Sequence, residues 1–166
     1  MNDDPLRSGQ TGLLDDLYRD IILDHYRSPR NHDPLNAPTC SADGANPLCG
    51  DMIHLEVTLN GDQISEIAFG GSGCSISQAS ASMMTEYVKG RTAAEARRGA
   101  AAFQRMMTTG ETQEIEGFDD IDALQGVAKF AARVKCASLS WKTLEQALEG
   151  GGIASTEADG REDSHD

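Results

Sequence analysis

Leu13, Leu14, Leu17, Tyr18, Ile21, Ile22 and His25 recur at helical spacing and predict an amphipathic helix over 13–26. Ser28-Pro29 ends it, because a residue before proline is pushed out of the helical region. Residues 31–50 hold Pro34, Pro38, Pro47, Gly44 and Gly50 among several Asn and Asp, a loop composition. Strict alternation follows. Ile53, Leu55, Val57 and Leu59 face one way; His54, Glu56 and Thr58 face the other. Asn60-Gly61 is a favoured two-residue hairpin turn, and Ile64, Ile67 and Phe69 supply the returning strand. Gly70-Gly71-Ser72-Gly73 ends that strand just before Cys74.

Helical spacing then takes over. Residues 77–89 place Met83, Met84, Tyr87 and Val88 on one apolar side. Thr92 followed by Glu95 is a capping-box pattern that opens a helix through about Met107, with Gly110 as its stop. Asp119 and Asp122 open a further helix, with Leu124, Val127, Phe130 and Ala131 inward. A last helix runs from about Cys136 to Leu148 and buries Leu139, Leu144 and Leu148. Few strands followed by several helices predict an α+β fold: a small antiparallel sheet of about three strands with helices packed against it. His25, Met83, Met84, Met106, Met107 and Trp141 read as core packing rather than as ligands.

At 166 residues the chain has room for one domain with a real core. Its 14 Lys+Arg against 27 Asp+Glu give a net charge of −13, which argues against a nucleic-acid surface or a polybasic membrane patch. Much of the acid lies at the ends. Residues 1–16 hold four Asp against one Arg, and 149–166 hold six acids against one Arg. The expected organisation is therefore a disordered extension at 1–12, a domain at 13–148 and a disordered acidic tail at 149–166. The N-terminus lacks an apolar signal core, and no apolar run nears the roughly 20 residues of a membrane span. The expected compartment is the cytoplasm, where thiols stay reduced. Cys40, Cys49, Cys74 and Cys136 are then metal ligands, reactive thiols or small buried hydrophobes rather than disulfide halves.

Cys49 precedes Gly50-Asp51 in a short loop entering the first strand, Cys74 follows a glycine turn, and Cys136 is expected to open the last helix. A helix N-terminus favours thiolate, and adjacent glycines let backbone amides approach sulfur. Three thiolates and one carboxylate match a tetrahedral zinc site in number and type. No CxxC pair exists, so spacing leaves a shared site and inert core cysteines both open.

Five segments in order, LYRDIILDHYRSPRN (17–31), NPLCGD (46–51), GSGCSIS (71–77), TEYVKGR (85–91) and VKCASLSW (134–141), resemble the U-type iron–sulfur assembly proteins. These comprise the IscU scaffold family and its SufU branch, whose fold is a small antiparallel sheet covered by helices. The family's functional cysteines fall on Cys49, Cys74 and Cys136, and its aspartate on Asp51; Cys40 matches no family position. The scaffold branch places a histidine before its third cysteine within a proline-containing motif. Here Lys135 stands there and 130–134 contains no proline. The 62-residue interval from Cys74 to Cys136 (136 − 74), with the helix through Arg97, Phe103 and Met107, resembles the SufU branch.

That resemblance implies zinc on Cys49, Asp51, Cys74 and Cys136. It implies a persulfide acceptor at Cys49 that stimulates a pyridoxal-phosphate cysteine desulfurase rather than acting as a stand-alone enzyme, and delivery to downstream assembly machinery. A histidine of the desulfurase would replace Cys49 on the metal. The alternative is a scaffold carrying a transient iron–sulfur cluster. Arg133 and Lys135 lie near the third cysteine, where a cation could pair with Asp51 or lower a thiol pKa.

Overall fold

A computed structural model describes residues 18–150 and the backbone of 152–155. The first helix, α1, occupies 18–27 of the described residues; the N-terminal part of the expected helix and the 1–12 extension lie outside them. Three antiparallel strands follow, β1 (Cys40–Asn46), β2 (Asp51–Asn60) and β3 (Gln63–Ser72). Then come α2 (Ser75–Val88), α3 (Ala93–Thr109), a 3₁₀ helix (Ile121–Lys129) and α4 (Ala131–Leu148). The sheet order is β3-β2-β1-β4, with the short β4 (Gly152–Ser155) running parallel to β1.

The alternation in β2 is that of a half-buried strand. Ile53, Leu55 and Val57 are buried while Met52 and His54 are exposed. Ile67 and Phe69 of β3 and Ala42 of β1 join the same inner face. The two-residue hairpin loop is Gly61-Asp62, one residue later than the sequence pattern places it, and Asn60 pairs with Gln63. Glycine fits there because its φ is +66°. On the outer face, His54 sits 2.8 Å from Asp43 and 3.2 Å from Glu56.

β1 was not visible in the hydrophobic pattern. Its residues, CSADGAN, carry no large apolar side chain. It forms because β2 offers a full antiparallel ladder, from Cys40 opposite Val57 to Asn46 opposite Asp51. Gly44 is required by packing. A Cβ there would lie 2.0 Å from Thr143 Oγ1 and 3.1 Å from Leu139, so α4 rests almost on the β1 backbone. α4 is thereby fixed beside the end of the sheet that carries Asn46 and Asp51.

Trp141 anchors the helical layer, 2% exposed, stacked on Phe103 at 4.8 Å and donating its indole N–H to Ser80 Oγ at 3.2 Å. The capping box at Thr92 and Glu95 is present, and Gly110 closes α3 in the left-handed conformation. His25 is a packing histidine, 1% exposed. Its ring nitrogens lie 2.8 Å from Ser82 Oγ and 2.8 Å from Asp120 Oδ2, tying α1 to α2 and to the start of the 3₁₀ helix.

Two boundaries differ from expectation. Gly152–Ser155, placed by composition in the tail, pair with β1. Main-chain pairing to an open strand edge is nearly sequence-independent, so composition does not register it. Residues 156–166 lie outside the described residues. The segment 121–135 also divides differently. The 3₁₀ helix ends at Lys129, and Phe130 turns to extended backbone (φ −122°, ψ 100°). α4 starts at Ala131 rather than near Cys136. Phe130, expected inward, is 60% exposed, because that turn points it away from the core.

Candidate metal centre

Asp51 is the first residue of β2 and shares the parity of Ile53, Leu55 and Val57, so the pleat carries its carboxylate to the inner face. Asn46, the last residue of β1, is inward for the same reason and stands directly opposite. Asp51 is 1% and Asn46 0% exposed. Pro47–Gly50 join them in a tight turn whose Cys49 and Gly50 amides donate to the Asn46 carbonyl at 3.2 and 2.8 Å. Gly50 has φ +74°, which a side chain disfavours. Cys49 is left exposed at the tip of this turn.

The second arm is the link from β3 to α2. Cys74 is the N-cap of α2, and its backbone N–H donates to Asp51 Oδ1 at 2.9 Å. Gly73 permits that approach: a Cβ there would sit 2.5 Å from Asp51 Oδ1 and 2.6 Å from Ser77 Oγ. The other carboxylate oxygen accepts from Asn46 Nδ2 at 3.2 Å. Asp51 is thus held from two sides, although no basic side chain is among these partners.

The third arm is α4. Cys136 is fully buried in its second turn. Its Sγ lies 3.6 Å from Cys49 Sγ and 3.6 Å from the Ala132 carbonyl, and it accepts from Asn46 Nδ2 at 3.6 Å. Because α4 begins five residues earlier than expected, Cys136 lies beyond the first turn, where the helix dipole acts most strongly. Cys74 keeps its place at a helix start. Burial pushes the Cys136 thiol well up, and the neighbouring Asp51, Cys49 and Cys74 side chains add to it. An unaided Cys136 therefore keeps its proton, and its thiolate requires a compensating positive charge.

Arg133 supplies one such charge. The sulfurs of Cys136, Cys74 and Cys49 lie close enough to its guanidinium to raise its pKa. Arg133 thus faces the thiols, whereas Asp51 takes its bonds from Asn46 and Cys74. Lys135 lines a different cleft, together with Lys129 and Lys142. Cys40 starts β1, at the opposite end of that strand from Asn46, and burial raises its thiol pKa.

The ligand atoms of Cys49, Asp51 and Cys136 all lie within 4.8 Å of one another. The Cys74 sulfur is outside that tight group, while its backbone pins Asp51 and its thiol acts on Cys136. Asn46 was missed in the sequence; its signal was the Asn-Pro step opening NPLCGD inside a segment read as loop. The donors fit zinc chemically. Two thiolates on a tetrahedral zinc stand about 3.8 Å apart for Zn–S bonds of about 2.3 Å, against 3.6 Å between Cys49 and Cys136. The buried Asn46 Oδ1, on the side chain whose Nδ2 supports Asp51 and Cys136, has no partner among the described residues.

Comparisons with known proteins agree with this geometry. The model of the NifU-like N terminal domain matches residues 17–148. The zinc-dependent sulfurtransferase SufU of Bacillus subtilis (strain 168) is 50% identical over 141 residues, covering 83% of this chain and 95% of that protein. The iron–sulfur cluster assembly scaffold protein IscU of Streptococcus pyogenes serotype M1 is 39% identical over 136 residues, covering 82% and 85%. Among solved structures, a NifU-like protein (N-terminal) from Brucella abortus shares the fold at 24% identity, with TM-score 0.75 over 82% of this chain and 94% of that one. A match spanning nearly every described residue, together with half-identity to a SufU, carries the conclusion that this chain belongs to the NifU-like N-terminal domain family, the U-type iron–sulfur assembly proteins.

Proposed function

We propose that this protein is a zinc-dependent acceptor of persulfide sulfur in iron–sulfur cluster assembly, with Cys49 as the acceptor and Cys49, Asp51, Cys74 and Cys136 as the metal-binding set. One observation carries the reading: Cys49 is exposed at a turn tip while lying 3.6 Å from buried Cys136 and within 4.8 Å of Asp51. The half-identical relative is named a zinc-dependent sulfurtransferase. Bound zinc supplies the positive charge that keeps thiols deprotonated at neutral pH.

The residues divide the work. The Cys49 sulfur attacks the outer sulfur of a persulfide on a pyridoxal-phosphate cysteine desulfurase. The donor's S–S bond breaks, its cysteine leaves as thiolate, and a new S–S bond forms on Cys49. With zinc held by this set, transfer would require Cys49 to be free of it, and a histidine from the desulfurase would be our choice for the vacated position. Asp51, Cys74 and Cys136 hold their positions meanwhile, Asp51 through Asn46 and the Cys74 amide. Arg133 balances the negative charge left on the remaining sulfurs. Such thiols need a reducing compartment, so we place the protein in the cytoplasm. No helix among the described residues is long and apolar enough to cross a membrane.

A scaffold role is the second reading. It is favoured by the relative named an IscU scaffold, at 39% identity over 82% of the chain. The same donor set would then carry a transient cluster, and Lys135 in place of the scaffold branch's histidine weighs against it. The deciding experiment mixes zinc-loaded protein with its desulfurase and cysteine and measures alanine formed. Stimulation by the wild type, abolished in Cys49→Ala, supports sulfur acceptance. Absence of stimulation with a stable, transferable cluster after anaerobic reconstitution supports the scaffold instead.

A further inference from the structure

The chain is strongly acidic and has only four lysines, Lys89, Lys129, Lys135 and Lys142. Three of the four line one cleft of about 390 Å³ between α3, the end of the 3₁₀ helix and α4. No acidic side chain lines it. Glu145 lies close enough to Lys142 to feel its charge, one turn further along α4. Against an overall −13, three lysines meeting in one cleft concentrate cation where composition predicts none.

Two further features face the same cleft. Ala131, the first residue of the 18-residue helix α4, lines it, and no side-chain cap closes that first turn, because the N-cap is Phe130. The Arg133 and Val134 amides already donate to the Phe130 carbonyl, which leaves the positive end of the helix dipole and the Ala131 and Ala132 N–H groups to face an anion. Ser138, also lining the cleft, is 3% exposed, and its hydroxyl has no hydrogen-bond partner among the described residues. A buried hydroxyl without a partner is costly, and an acceptor oxygen in the cleft would relieve it. Met107 and Val134 provide an apolar wall.

We propose that this cleft binds a small organic phosphate monoester, its phosphate among Lys129, Lys135, Lys142, Ser138 and the start of α4, and its apolar body against Met107 and Val134. Lysine ammonium groups act as point charges suited to a tetrahedral dianion approached from several sides. A carboxylate would offer fewer acceptors to the same donors. The cleft volume is that of a small-ligand site. None of Cys49, Asp51, Cys74 or Cys136 lines it, so the site stands or falls independently of sulfur acceptance.

The test titrates zinc-loaded full-length protein with phenyl phosphate, benzoate and inorganic phosphate at fixed ionic strength, by calorimetry and by amide chemical shifts. Phenyl phosphate should bind saturably and at least tenfold more tightly than either of the others, with the largest shifts at Ala131, Ala132 and Ser138. Lys129→Gln combined with Lys142→Gln should weaken it tenfold or more, and Ser138→Ala severalfold. Lys89→Gln should leave it unchanged. Contacts between the phenyl ring and the Met107 methyl should appear in the wild type. Equal affinity for the three probes, no saturation, equal loss in Lys89→Gln and the double variant, or displacement by an acidic peptide at lower concentration than phenyl phosphate would each overturn the proposal.

Discussion

Asn46→Ala separates a residue that holds the metal centre from one that merely fills the core. The Asn46 amide gives one hydrogen bond to the Asp51 carboxylate at 3.2 Å and one to the Cys136 sulfur at 3.6 Å. A hydrogen bond to a charged carboxylate contributes about 1.5–3 kcal/mol, the long distance here puts it near the lower limit, and the bond to the neutral Cys136 thiol adds little. The substitution also removes Oδ1, a buried oxygen with no partner. Relief of its desolvation returns about 1 kcal/mol or more. The backbone carbonyl that accepts from Cys49 and Gly50 stays. The opposing effects leave the metal-free protein within about 1 kcal/mol of wild type, a melting shift of roughly 2–4 °C. Zinc affinity has no such offset, because Asp51 and Cys136 lose their shared support. Loss of an outer partner of metal ligands typically costs about 10–100-fold. Competition against a chromogenic chelator measures the affinity, and thermal melts of metal-free protein measure the stability. Zinc affinity within threefold of wild type, with metal-free stability down by more than about 2 kcal/mol, would refute the reasoning.

Three further outcomes follow from the same contacts. Gly73→Ala places a methyl 2.5 Å from Asp51 Oδ1 and 3.1 Å from its Cβ, and should cost about 1–3 kcal/mol together with faster zinc release; wild-type release kinetics would contradict it. Asp43 holds the His54 pKa above its usual value, so the folded state gains from this ion pair at pH below about 6.5 and loses it as pH rises through the raised folded value. His54→Gln should remove that part of the pH dependence of the melting temperature between pH 6 and 9, and identical profiles for the two proteins would exclude it. Cys40→Ser, remote from Asp51 along β1, should leave zinc content and desulfurase stimulation unchanged, as metal analysis and alanine assays can show.

Legibility in the sequence tracked how each element earns its stability. β2 and β3 alternate because one face is buried, and α3 announces itself by a capping box, so both were readable. β1 was not, because its contribution is main-chain pairing and a glycine under α4 rather than apolar side chains. The start of α4 was misplaced by five residues because Phe130 looks like core and Ala131 and Ala132 carry no pattern. At the site, Cys49, Asp51, Cys74 and Cys136 all stand at element boundaries and form a zinc-like donor set, but their spacing leaves a shared site and inert core cysteines both open, since the convergence follows from the fold and not from a local turn. Asn46 could be recognised only once β1 existed, because its inward position is a consequence of strand parity and of standing opposite Asp51.

The same parity argument orders the roles within the centre. Asp51 and Asn46 face inward because the two strands end on their buried phase, and Cys136 is buried because α4 lies over Gly44. Only the turn between β1 and β2 projects its residues outward, so only Cys49 of the three convergent donors reaches solvent. A sulfur handed over by another protein must arrive from that side. Had the acceptor been Cys136, its burial and raised pKa would each oppose attack on a persulfide. Cys74 is only partly exposed, and its backbone is tied to Asp51 at the start of α2, so it is less open to an incoming protein than Cys49. Of Cys49, Asp51 and Cys136, Cys49 alone sits in the short Pro47–Gly50 turn rather than in a strand or helix. The fold therefore sets one exposed thiol apart from donors held by strands and helix, the arrangement that the proposed acceptance of sulfur at Cys49 would use.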